Sequence, residues 1–199
     1  MNTSPHRNVF SFAEAVRARA GWSHSLGARA QRALLRWAFR DDLTGLLNRR
    51  GFRLAAARRI ATARRRGRPL LVFFADVDGF KRINDTFGHR EGDRALARVA
   101  GALRKTFRKS DLVARFGGDE FVALVTEEPR CSADTLTRRL HATLARLAAE
   151  DGRYRLTLTV GVVRHDPETM PSLEDLIDEA DKRLHDGKRA RAPLPFVVR

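Results

Sequence analysis

The chain has 199 residues, 43% of them hydrophobic and 32% charged, which fits one globular domain with a real core and an appended segment. Its formal net charge is +15, but only five of the 39 basic residues are Lys, and they are spread along the chain without ribonucleoprotein or zinc-finger spacing; the excess reads as arginine-biased composition, and no DNA partner is expected. No apolar run approaches the roughly 20 residues of a membrane span, no apolar signal core opens the chain, and the single cysteine, Cys131, excludes an internal disulfide, so a cytoplasmic protein with a surface thiol is predicted.

Residues 1 to 40 carry seven Arg against one acid, Glu14, and their broken helical periodicity predicts a basic helical arm or linker. From residue 41 to 199 the pattern is that of one domain. Turn formers at Asp41 to Arg50 lead into a helix through Phe52, Ala56, Ile60 and Ala63 that ends near Gly67 and Pro69. Leu70 to Ala75 is a continuous run of β formers, read as a buried central strand with Asp76 at its end. A helix from about Gly92 to Lys109 carries Leu96, Val99, Ala100, Leu103 and Phe107 on one stripe. Strands at Leu112 to Phe116 and Glu120 to Val125 flank Gly117-Gly118-Asp119, which reads as a tight hairpin. A helix capped by Ser132, a strand through Leu156 to Val163, a last helix from near Ser172 and a short strand at Phe196 to Val198 complete the order. Helices interleaved with strands and one obligatory hairpin imply an α/β or α+β fold with helices on the sheet.

Two groups of acids stand out. Asp76 ends a buried strand, where a bare carboxylate is costly, and Asp119 and Glu120 sit at the hairpin. If the first strand lies beside the hairpin, these oxygens converge as a Mg²⁺ site; otherwise they are solvated turn residues. The turn Val77-Asp78-Gly79-Phe80-Lys81 offers successive backbone N–H groups at a helix start, a phosphate-binding arrangement. Asn84 and Asp93 suit the edge of a purine, and are also common helix caps.

Arg115-Phe116-Gly117-Gly118-Asp119-Glu120-Phe121 resembles the signature that names the GGDEF family. The rest of that family's pattern follows in order: Asp41 to Arg50 resembles its Asp-x-Leu-Thr-Gly-Leu-x-Asn-Arg-Arg segment, Asp76 to His89 with Gly92-Asp93 its nucleotide-binding turn, Thr157 to Val163 its Thr-x-Ser-x-Gly strand with Thr159 for Ser, and Ala180-Asp181 with Lys188 its last helix. The resemblance covers about residues 41 to 198. It implies a five-stranded, mostly antiparallel central sheet flanked by helices, similar to the palm of class III nucleotide cyclases. It implies a homodimeric, Mg²⁺-dependent diguanylate cyclase, with Mn²⁺ as the alternative ion, joining two GTP into cyclic di-GMP. Asp76, Asp119 and the Val77 carbonyl would hold the metal; Glu120 would ligate it or deprotonate the ribose 3′-hydroxyl. Asn84 and Asp93 would read guanine, and the amides near Phe80 and Lys81, with Lys188, would hold phosphates. Arg108-Lys109-Ser110-Asp111 matches the family's Arg-x-x-Asp inhibitory motif, so Arg108 and Asp111 are expected to bind the product. One departure is that Arg191-Ala192 replaces the family's Gly-Arg pair, which moves the second phosphate-binding Arg out of register; His185 also replaces a common Tyr. Two other readings stand beside this one: a catalytically silent domain acting as a GTP or cyclic di-GMP receptor, and a basic nucleic-acid-binding protein.

Overall fold

The computed structural model describes residues 38–128, 131–149, 153–169 and 171–190. The basic arm, but for its last three residues, the Arg191-Ala192 pair and the expected strand at Phe196 to Val198 lie outside them. The chain divides into two units, Met1–Ala38 and Phe39–Arg199, and the described fold is that of the second.

Helix α1 (Arg49–Arg65) starts where the Asn48 side chain accepts the Gly51 amide at 2.8 Å, and it stops before Gly67, whose φ of 58° no β-branched residue would tolerate. Strand β1 (Leu70–Val77) follows, then the short helix α2 (Phe80–Phe87) and the longer α3 (His89–Thr106), joined by Gly88 alone. Strands β2 (Leu112–Arg115) and β3 (Glu120–Thr126) form the hairpin. Helix α4 (Ala133–Ala149), strand β4 (Leu158–His165) and helix α5 (Leu173–Ala190) complete the order. Ser132 and Ser172 cap the last two helices; their side chains accept the amides of Thr135 and Asp175.

The strands line up as β2-β3-β1-β4, every neighbouring pair antiparallel. Period-two alternation splits β1 between two cores. Leu71, Phe73, Ala75 and Val77 face α3 and α4 through Leu96, Val99, Leu103, Leu136 and Leu140. Leu70, Val72 and Phe74 face α1 and α5 through Phe52, Ala56, Leu176, Ile177 and Leu184. Because both faces of β1 are covered, its sequence is apolar without a break from Leu70 to Ala75. Each large side chain fully buried here contributes about 2–3 kcal/mol by removal from water.

The structure corrects four expectations. The sheet has four strands among the described residues, not five. The helix expected from about Gly92 to Lys109 runs from His89 to Thr106, starting directly after Gly88, which at φ 82° ends α2. Neither glycine of the hairpin is in the left-handed region, so the tight hairpin expected at Gly117-Gly118-Asp119 is not built on left-handed glycines; the strands are bridged by Phe116 to Asp119, with the Phe116 amide donating to the Glu120 carbonyl at 2.8 Å. Cys131 is buried at 6% exposure and packs in the α3–α4 core, not on the surface.

Candidate active site

Parity places Asp76 on the α5 face of the sheet, one step beyond Phe74. There Lys188 of α5 reaches it, Nζ lying 2.6 Å from Oδ1. Helix α5 comes this close because it crosses β4 at Gly161, where a Cβ would lie 2.1 Å from the Ala180 carbonyl oxygen. Glu120 is the residue directly opposite Asp76 on β3, and Thr159 is opposite it on β4. The Val77 amide donates to the Asp119 carbonyl at 3.2 Å, which sews the hairpin to the end of β1. The two acid groups singled out in the sequence therefore lie side by side.

The charges at this sheet end are unbalanced. Burial pushes the Asp76 carboxyl above the usual range; Lys188 pulls it down, Asp119 and Asp78 push it up, and the net direction is up. Burial likewise raises Glu120, helped by Asp76, Asp119 and Asp181 and opposed by Arg49. Asp78 accepts from the Thr159 hydroxyl at 2.6 Å through Oδ1, while its Oδ2 is buried with no hydrogen-bond partner. Clustered carboxylates, with Asp76 and Glu120 raised and an Asp78 oxygen lacking a donor, fit a hard divalent cation. Among the described residues no three His, Cys, Asp or Glu side chains form a ready cage.

Beyond Val77 the chain turns through Gly79, at φ 67°, into α2, whose first amides have no side-chain cap. Phe80 and Lys81 open this helix, as the sequence predicted. Asn84 lies on α2 and the exposed Asp93 on the first turns of α3. They are brought together by Gly92, where a Cβ would sit 1.9 Å from Asn84 Oδ1. The glycine requirement here is a close approach of two helices.

Arg115, the first residue of the signature, has a structural role. Its guanidinium donates to the Gly118 carbonyl at 3.0 and 2.6 Å and pairs with Asp41 at 3.2 Å. It ties the hairpin tip to the turn at Asp41 to Gly45, which Asp41 closes by accepting from the Thr44 amide and hydroxyl at 2.8 and 2.6 Å. Gly117 is also explained: a Cβ there would lie 2.2 Å from Glu120 Oε2. Thr159 and Arg49 stood only as members of the family segments, with no role, since neither residue type signals a site without its neighbours in space.

Arg108 and Asp111 lie elsewhere. They precede β2, and the register puts Leu112 opposite Leu124, toward the end of the sheet away from Asp76. The Arg108 amide donates to Asp111 Oδ2 at 2.8 Å. Both line a cavity of about 620 Å³ with Arg58, Arg59, Arg66 and Arg68, a strongly cationic wall. Glu128, which the sequence did not single out, pairs with the Arg108 guanidinium at 2.5 Å.

The family model described as "Diguanylate cyclase, GGDEF domain" matches residues 38–192. The diguanylate cyclase DosC of Escherichia coli is 42% identical over 154 residues, which are 75% of this chain and 33% of that protein. The cyclic di-GMP phosphodiesterase NbdA of Pseudomonas aeruginosa is 39% identical over 160 residues, 80% of this chain and 20% of that protein. The chain thus spans a fifth to a third of the length of these curated relatives. Among solved structures, the coiled coil and GGDEF domain of DgcB from Caulobacter crescentus, in complex with c-di-GMP, superposes with a TM-score of 0.71 at 26% identity, covering 92% of this chain and 93% of that one. With the signature at the hairpin, the matching fold and these relatives, the chain belongs to the GGDEF domain family of diguanylate cyclases.

Proposed function

We propose that the protein condenses two GTP molecules into cyclic di-GMP and releases two pyrophosphates, with two copies facing each other as a two-fold dimer. The observation that carries this reading is the pairing of Asp76 with Glu120 across adjacent strands, under Lys188 and next to the uncapped amides of α2. In each half-reaction the 3′-hydroxyl oxygen of one GTP bonds to the α-phosphorus of the other, and the bond from that phosphorus to the bridging oxygen breaks. Each domain presents one GTP, so both bonds form only when two sites meet, which a two-fold axis supplies.

Asn84 and Asp93 orient the guanine, and the amides of Phe80 and Lys81 hold phosphate oxygens at the positive end of α2. Lys188 is held as the counter-ion of Asp76 and is placed to follow a phosphate. Glu120, whose carboxyl is raised by burial and by its acidic neighbours, accepts the hydroxyl proton. Asp76, Asp119 and the Val77 carbonyl would hold Mg²⁺, or Mn²⁺, with Glu120 beside them; the ion neutralises phosphate charge and acidifies the attacking hydroxyl.

The Arg108–Asp111 cavity would hold the product. Its arginines match phosphates by charge and by bidentate geometry. Glu128 on Arg108 is a competitor that an incoming phosphate must displace.

Incubation with GTP and Mg²⁺ followed by chromatography tests the whole reading. Cyclic di-GMP is expected from the wild type and not from Asp119→Ala. Arg108→Ala should turn over at a similar initial rate and lose inhibition by added product. Nucleotide binding without turnover in the wild type would replace the enzyme reading with a receptor reading.

A further inference from the structure

Glu91 is a carboxylate buried to 2% exposure in the first turn of α3, and the catalytic reading makes no use of it. Burial alone would raise its carboxyl, but its surroundings more than offset that and hold it below the usual range. Tyr154 donates its hydroxyl to Oε1 at 3.0 Å. Arg98 donates to the same oxygen at 3.1 Å and to the Tyr154 hydroxyl at 3.1 Å. Arg94 and Arg153 reach Oε2 at 3.1 and 2.7 Å. Burial and Glu91 together push the Tyr154 phenol up to about 12, so it remains a donor throughout the neutral range.

The cluster closes a circuit around the α2–α3 joint. The Tyr154 ring stacks on Phe87, the last residue of α2, with centroids 5.3 Å apart. Glu91 therefore links the start of α3, through Tyr154, to the end of α2. On its other side Gly92 presses on the Asn84 side chain of α2. Between these contacts the helices share one residue, Gly88, at φ 82°, which offers little resistance to bending. The angle across that joint sets the separation of Asn84 and Asp93.

We infer that Glu91 is a positioning residue for guanine recognition: by anchoring Tyr154 and the arginines around it, it fixes α2 against α3 so that Asn84 and Asp93 present their polar atoms to one base at once. The inference rests on the assignment of those two residues to guanine. Loss of the anchor weakens selection of the base and leaves the chemistry at Asp76 and Glu120 in place.

The test uses the full chain as Glu91→Gln and as Tyr154→Phe, the second keeping the ring on Phe87 and losing only the hydroxyl. Hydrogen exchange in the nucleotide-free protein reads the joint directly: amides of residues 84–93 should exchange faster in both variants, with the sheet amides unchanged. Steady-state kinetics with GTP and with ITP, which lacks the guanine 2-amino group, read the consequence. For Glu91→Gln a rise of about tenfold in KM for GTP, kcat within about twofold and a narrower GTP/ITP preference are expected. Tyr154→Phe should move the same way by about threefold, and it decides the matter if Glu91→Gln does not fold. Unchanged exchange at the joint, or unchanged KM and preference in a folded variant, overturns the proposal. Faster exchange at the joint with a wild type that never prefers GTP over ITP would instead remove the guanine assignment.

Discussion

Glu120 stands where stability and activity pull in opposite directions. Its folded-state carboxyl is raised, so the fold favours the protonated form. The corresponding stability is complete below the unfolded value and is lost as the pH rises through the raised one, leaving a net cost at neutral pH. Glu120→Gln removes that cost: a higher unfolding free energy at pH 7 is expected, together with a loss of at least about a hundredfold in turnover. Thermal denaturation and product chromatography check the two halves. The raised carboxyls of Asp76 and Glu120 also set the acid limb of kcat/KM, because protons compete for both groups above the ordinary carboxylate range. That limb should fall at a higher pH than free Asp and Glu side chains would give, and a limb at their ordinary values would contradict the assignment.

At the scale of elements, two glycines separate function from folding. A Cβ at Gly117 meets only the end of the Glu120 side chain, whereas one at Gly161 meets the backbone of α5 at Ala180 and Leu184. Gly117→Ala should leave the melting temperature near that of the wild type and depress activity by displacing the Glu120 carboxylate. Gly161→Ala should cost about 3 kcal/mol by forcing α5 off the sheet. The elements themselves were largely legible: the unbroken apolar run of β1, the stripe of α3 and the serine cap of α4 each follow from local chemistry. The start of α3 reads about a turn late, at Gly92, because the apolar stripe begins only beyond it; the chain leaves Gly88, at φ 82°, directly into His89. The hairpin was placed correctly for the wrong reason, since Gly117 serves the approach of Glu120 and not a left-handed turn. Arg115, Glu128 and Glu91 each depend on a partner at least 20 positions away in sequence, namely Asp41, Arg108 and Tyr154.

Across the whole domain, two charged centres lie toward opposite ends of one sheet. The acids of the Asp76 end and the arginines of the Arg108 cavity are separated along β3, from Glu120 to Thr126, so a ligand at one reaches the other only through the sheet or through a second copy. No helix among the described residues is long and apolar enough to cross a membrane. The account depends on the acidic end being a place for a divalent cation carrying a nucleotide. Calorimetric titration of GTP into the wild type and into Asp76→Asn, each with and without Mg²⁺, examines that dependence without relying on turnover. The wild type should bind GTP tightly only with Mg²⁺, and Asp76→Asn should bind it weakly in both conditions. Equal wild-type affinity with and without the ion would contradict the account.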